Sequence, residues 1–129
     1  MPLYRCAIKE GLSTESHRAR IAKEIVRIHC SVTGAPPSFV HAFFSEESPD
    51  RMGDKLAFVL GTIRWGRTDE QKAQIVADMT DTLSQILGLD PSEVGVMTVD
   101  VPSKWNMEGG ELLPEPGEED AWLARHGGS

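Results

Sequence analysis

Pro2 directly follows Met1. Removal of Met1 ahead of so small a residue would free the secondary amine of proline. An ordinary α-amine titrates near ~7.7–8.0. Nearby cations and desolvation both disfavour its protonated form, which would make the amine a base at neutral pH. Many chains begin Met-Pro with no chemical consequence, so the reading depends on what the fold brings to it. Arg64 and Arg67 bracket Trp65-Gly66. Two guanidinium forks at that spacing could clamp a carboxylate, and the alternative is a pair of solvated loop arginines. Glu108 lies in Trp105-Asn106-Met107-Glu108-Gly109-Gly110. It is either a solvated loop carboxylate or a general base that activates water. His29 falls on the apolar stripe of a helix, where a buried, hydrogen-bonded structural role is the simpler reading. Trp65, Met97 and Trp105 read as packing residues. His41 sits on a strand that could turn it to either side, and no role is assigned to it.

The elements that must position these groups follow from periodicity. Leu3 to Ile8 reads as a strand with Tyr4, Cys6 and Ile8 on one face. Ser13 or Thr14 caps a helix running to about Val32, with Ile21, Ala22, Ile25, Ile28, His29 and Val32 as its stripe. Gly34 and Pro36-Pro37 stop it. Phe39 to Phe44 reads as a second strand, and Ser45 to Asp54 as a loop. Leu56 to Ile63 is apolar enough to be a strand buried on both faces. Thr68-Asp69-Glu70-Gln71 matches a capping box, and the helix it opens carries Ile75, Val76, Met79, Leu83, Ile86 and Leu87 before Gly88 ends it. Val94 to Val101 is a fourth strand. Arg64 and Arg67 thus fall at the C-terminal end of a strand, beside a helix N-terminus, where parallel α/β units place their ligands.

The two strand–helix–strand cycles resemble each other. Ile8-Lys9-Glu10-Gly11 aligns with Ile63-Arg64-Trp65-Gly66, and Pro37-Ser38-Phe39-Val40 with Pro91-Ser92-Glu93-Val94. Matches in the same order at nearly the same offset indicate an internal duplication. The expected fold is α/β: two right-handed βαβ units, about 2–46 and 55–101, forming a four-stranded sheet with two helices on one face. Residues 102–129 make a C-terminal segment of the same single domain, anchored by Trp122 and Leu123. The other sheet face is too apolar to meet water, so an oligomer is expected to cover it.

With 129 residues the chain has enough length for one modest core, and aromatics at 6% make that core mostly aliphatic. A net charge of −7 argues against a nucleic-acid partner, which requires a positive footprint. No apolar run approaches the ~18 residues of a membrane span. The segment Met-Pro-Leu-Tyr-Arg-Cys has no signal-peptide character. Cys6 and Cys30 read as reduced thiols of a cytoplasmic protein. No metal or cofactor is expected.

Taken together, Pro2 opening a strand, the paired βαβ units and Arg64-Trp65-Gly66-Arg67-Thr68 resemble the tautomerase superfamily. The similarity is greatest to its cis-3-chloroacrylic acid dehalogenase group. His29 late in the first helix and Glu108 ahead of Leu112-Leu113-Pro114-Glu115-Pro116-Gly117 carry the likeness further. The resemblance spans Pro2 to about Trp122. It implies Pro2 as proton shuttle, a substrate carboxylate held by Arg64 and Arg67 with help from His29, and Glu108 as the residue that places or deprotonates water. It also implies a homotrimer. The group's water-assisting tyrosine on the fourth strand is replaced by Met97, whose thioether cannot exchange that proton. The expected activity is enol–keto tautomerisation of a small enolic or unsaturated carboxylate, hydration with dehalogenation of a cis-3-haloacrylate, or both. The alternatives are decarboxylation of a β-keto acid such as malonate semialdehyde, or a non-catalytic trimeric binding protein.

Overall fold

The computed structural model describes residues 1–125. β1 (Leu3–Lys9), α1 (Glu15–Thr33) and β2 (His41–Glu47) form one βαβ unit. β3 (Ala57–Arg64), α2 (Asp69–Leu87) and β4 (Val94–Val101) form the second. Strands pair in parallel within each unit, and the units join antiparallel through β1 and β3, giving the order β2-β1-β3-β4. This is the architecture the sequence predicts.

Both long helices begin with reciprocal capping. Thr14 accepts from the His17 backbone N–H while the His17 ring accepts from the Thr14 N–H. Thr68 and Gln71 do the same for α2. Gly34 and Gly88 close the helices in the left-handed conformation that suits glycine. The aligned Pro37 and Pro91 segments are equivalent in structure as well: each is a single 3-10 turn whose proline carbonyl accepts from the N–H three residues on.

That turn corrects the second strand. Phe39 lies in it, so β2 starts at His41 and runs through Ser45 to Glu47, into the stretch expected to be loop. Proline at the turn's first position fixes the bend and delays strand pairing. Freed from the sheet, Phe39 packs edge-on against Trp122 at 5.4 Å between ring centres, with Leu113, Met1 and Leu123 around them.

Alternation sorts the sheet's side chains. Tyr4, Cys6, Ile8, Ala57, Val59 and Ile63 are buried beneath the helices, against Ile21, Ile25, Ile28, Ile75, Met79 and Leu83. The opposite face carries Leu3, Phe43, Phe58, Leu60, Met97 and Val99, none of them fully buried. Met97 on this face, and Trp65 and Trp105 in turns, are exposed rather than packed as expected. Their positions direct them away from the helix-covered core, and alternation alone cannot reveal what a turn residue touches. The segment after β4 forms a hairpin, β5 (Met107–Glu108) and β6 (Glu111–Leu112), then α3 (Glu119–Arg125), a third helix the sequence pattern does not show. No helix among the described residues is long and apolar enough to cross a membrane.

β1 and β3 approach closely because Gly61 faces Tyr4 across them. A Cβ on Gly61 would run into the Tyr4 ring, with Cδ1 only 2.8 Å away. Gly61→Ala should therefore destabilise the fold by about 1–3 kcal/mol, as overpacking does, read as a lower urea midpoint at unchanged slope. Wild-type stability in the variant would show that the ring moves freely.

Candidate active site

The strand order brings distant residues to one end of the sheet. Antiparallel pairing sets Leu3 opposite Thr62, so the start of β1 meets the end of β3; parallel pairing sets Leu3 opposite His41. The C-terminal segment folds over this end. Pro2, His29, Arg64, Arg67 and Glu108, spread over more than a hundred residues of sequence, are thereby gathered here.

Pro2 is buried, and its carbonyl accepts from the His41 N–H at 2.9 Å. In the full chain its nitrogen belongs to an amide, and the free amine is that of Met1. That amine donates to Glu108 Oε1 at 2.8 Å. Burial holds its pKa below the ordinary value; the Glu108 carboxylate opposes this and the charge of Arg64 adds to it. Glu108 is aimed by the hairpin. Gly109 and Gly110 both have positive φ, at 57° and 85°, which a two-residue hairpin turn of this hand requires. Glu108 is therefore a strand residue, not the loop residue its glycine neighbours suggest. His41 Nε2 lies 2.9 Å from the same Oε1. Burial pulls the Glu108 carboxyl upward, but the hydrogen bonds and charges of the amine and His41 outweigh it and leave its pKa lowered.

The two arginines are not solvated loop residues, and they differ from each other. Arg64 is 1% exposed. Its Nη1 donates to the Pro114 carbonyl at 2.8 Å, its Nη2 to Glu119 Oε1 at 3.4 Å, and its guanidinium stacks 5.2 Å from the Phe39 ring centre. Glu119 is itself fixed by the Gly117 N–H. Arg67 spends only Nη1, on the Thr33 carbonyl at 3.2 Å. Its Nε and Nη2 are buried without a partner. Burial, then the charge of Arg64, push its pKa down.

His29 is buried, as its place on the helix stripe implies. Its Nδ1 lies 2.7 Å from the Tyr4 hydroxyl, while Nε2 has no partner. Burial, followed by the charges of Arg67, Arg64 and the N-terminus, pushes its pKa down to about 3. The ring is therefore neutral at pH 7. In the tautomer in which the tyrosine hydroxyl donates to Nδ1, the proton sits on Nε2, which is then a buried donor without an acceptor.

Tyr4, His41, Glu119 and Phe39 escape the sequence reading. A signal existed for Tyr4: a tyrosine on the buried face of its strand needs a hydroxyl partner, and His29 was the polar group on the facing helix stripe. For Glu119 the mixed composition of the tail offers none. Among the described residues no group of three or more His, Cys, Asp or Glu could hold a metal ion.

Comparison with known proteins bears on the same segment. Residues 62–113, which include Arg64, Arg67 and Glu108, match the family model for tautomerase enzymes. A probable tautomerase of Bradyrhizobium diazoefficiens is 40% identical over 50 residues, covering 39% of this chain and 75% of that protein. The chain belongs to the tautomerase family. The crystal structure of N1, a member of the cis-3-chloroacrylic acid dehalogenase family, superimposes with a TM-score of 0.86 at 29% identity, covering 95% of this chain and 91% of the other. A fused 4-OT, described as a symmetric trimer, gives a TM-score of 0.75 at 25% identity over 87% of this chain and 95% of that one.

The buried polar atoms His29 Nε2, Arg67 Nε and Arg67 Nη2 have no hydrogen-bond partner, and each unmet buried donor costs on the order of 1–3 kcal/mol. The neutrality of His29 has a consequence for stability. Unfolded, it titrates near 6.5; folded, near about 3. Between those values the unfolded chain holds the extra proton, so stability falls as pH drops through the window, by at most ~1.4 kcal/mol per pH unit from this group. His29→Gln should shrink the difference in unfolding free energy between pH 7 and pH 4.5. An unchanged difference would mean other groups cause the acid sensitivity.

Proposed function

We propose that this chain is an enol–keto tautomerase for a small enolic or unsaturated carboxylate, working through the Pro2 amine once Met1 is removed. The observation that carries the reading is the set of unpartnered buried donors on His29 and Arg67. These three atoms suit the two oxygens and the negative charge of a carboxylate, each oxygen being able to accept more than one hydrogen bond. Arg67 supplies Nε and Nη2 as a fork, and neutral His29 supplies Nε2–H. Arg64 is already engaged by Pro114 and Glu119, so its part is to supply positive charge and to fix Phe39 and the tail.

The reaction balances without a cofactor. The neutral Pro2 nitrogen takes the proton of the enol hydroxyl, electron density moves to carbon, and the ammonium returns a proton to that carbon. Burial and Arg64 both favour a neutral amine at this end of β1, as the lowered pKa of the Met1 amine illustrates. Glu108 works in the opposite direction and supports the ammonium between the two proton transfers. The same carboxylate suits a second use, placing water for hydration of a cis-3-haloacrylate with protonated Pro2 as acid. Replacement of tyrosine by Met97 on β4 makes that the lesser activity.

The test is ketonisation of an enol acid such as phenylenolpyruvate, followed by ultraviolet absorbance. Rate should rise with pH through the Pro2 pKa and then level, because the base form is the active one. Pro2→Ala should be slowed, and protein retaining Met1 should be nearly inactive. Arg67→Ala should lower kcat/KM about tenfold to a hundredfold, the cost of ~1.5–3 kcal/mol for a charged hydrogen bond. Arg67→Lys should be impaired too, because an ammonium cannot form the fork. Full activity in protein whose intact mass includes Met1 would falsify the mechanism.

The uncovered sheet face fits a homotrimer. Phe43 is 44% exposed, Met97 52% and Val99 43%, and they share this face with Leu3, Phe58 and Leu60, Arg5 lying between Phe43 and Leu60. Light scattering should report three times the chain mass at micromolar concentration, and Leu60→Glu should dissociate it. A monodisperse wild-type monomer would sink this assembly.

A further inference from the structure

His41 is held at both ends. Its backbone N–H donates to the Pro2 carbonyl at 2.9 Å, and its ring Nε2 lies 2.9 Å from Glu108 Oε1. One residue thus bridges the N-terminal strand and the hairpin that bears Glu108. Among the described residues, the other hydrogen bond between these two elements runs from the Met1 amine to the same Oε1. Removing Met1 removes that amine, while the His41 ring contact to the carboxylate remains. The hairpin's other ties lie at its base, where Trp122 Nε1 donates to the Leu112 carbonyl at 2.6 Å and the Leu113 N–H to the Asn106 carbonyl at 2.9 Å. β5 and β6 are two residues each, Met107 and Leu112 are exposed, and the turn is Gly109-Gly110.

We propose that His41 is the positioning residue for Glu108, setting the separation between that carboxylate and the Pro2 nitrogen. This rests on the reading of Pro2 and Glu108 given above. The structural reasoning is one of reach. β2 is fixed to β1 in register, Leu3 opposite His41, so the imidazole starts from a rigid strand. Glu108 starts from a short glycine hairpin. The strand-borne imidazole therefore helps decide where the carboxylate at the hairpin's tip sits. The half-exposed ring contributes little to the core, so its loss should change geometry at the site more than it changes folding.

The groups that face the pair are few. The residue-2 end of β1 feels Glu108 from the hairpin and Arg64 from β3, and His29 of α1 feels the N-terminal charge in turn. Glu108 faces the amine and His41. A carboxylate held near the Pro2 ammonium stabilises it, so drawing the carboxylate away lowers the pKa of the amine.

The experiment uses the processed, nitrogen-15-labelled protein and follows the Pro2 nitrogen through a pH titration by NMR, a readout independent of turnover. Glu108→Gln should lower the midpoint by about one pH unit, the size expected for losing one close charge. His41→Ala should move it in the same direction, and the double variant should go no further than Glu108→Gln alone. Such non-additivity is the signature of two residues acting through one contact. His41→Gln, whose amide reaches Glu108, should restore the wild-type midpoint; His41→Asn, one bond shorter, should not. In ketonisation, His41→Ala should lower kcat about tenfold to a hundredfold with KM little changed, as misplacement of a catalytic group does. If Glu108→Gln shifts the titration and neither His41→Ala nor His41→Asn does, the positioning role is wrong while the reading of Glu108 stands. If Glu108→Gln leaves the midpoint unmoved, Glu108 does not face Pro2 and both fail together. Inactive wild-type enzyme with the NMR pattern intact would overturn the substrate class and leave the positioning role supported.

Discussion

The burial of two guanidinium groups at one end of the sheet is the constraint on which the rest depends. A charge taken out of water costs several kcal/mol unless it is paired and hydrogen-bonded. Arg64 meets that requirement within the chain: Glu119 supplies the counter-charge, Pro114 a carbonyl and Phe39 a ring face. The C-terminal segment is thereby tied to the sheet by a polar anchor and by the apolar contacts of Trp122 and Leu113 on Phe39. Arg67 does not meet it, having buried donors to spare. One arginine is consumed within the chain and the other keeps unpartnered donors.

The neighbouring groups follow from those charges. His29 stands close enough to both arginines, in a dry enough position, that its imidazolium form is strongly disfavoured. Its Nε2 is a hydrogen-bond donor in the tautomer in which the Tyr4 hydroxyl donates to Nδ1. The positive field of Arg64 also reaches the N-terminal amine and adds to burial in lowering its pKa. Glu108 and Glu119 answer the cations on different sides, one at the amine and one at Arg64. The site thus separates a cationic half, with Arg64 and Arg67, from a half in which an amine and the Glu108 carboxylate are hydrogen-bonded.

Supporting this arrangement is a sheet built from two similar units joined antiparallel. Duplication sets the start of one unit's first strand against the end of the other's, which brings Pro2 within reach of Arg64. The close approach of β1 and β3 needs Gly61, because Tyr4 fills the space a side chain would take. The same residue pair therefore serves packing and, through His29, the site.

The sequence by itself determined the repeated strand–helix–strand units, because helix caps, closing glycines and apolar periodicity are local signals. Thr14, Thr68, Gly34 and Gly88 act where those signals put them. It also marked Pro2, His29, Arg64, Arg67 and Glu108 as residues with chemistry, since their types and spacing are visible in one dimension. Only tertiary structure decided how they differ. That Arg64 is consumed by Glu119 while Arg67 keeps free donors depends on a short helix more than fifty residues away, which no local pattern announces. His41 meets Glu108 only because strand register and a glycine hairpin converge on one spot. Periodicity assigns faces to residues; pairing across the sheet and folding of the tail choose which polar groups end up sharing a proton.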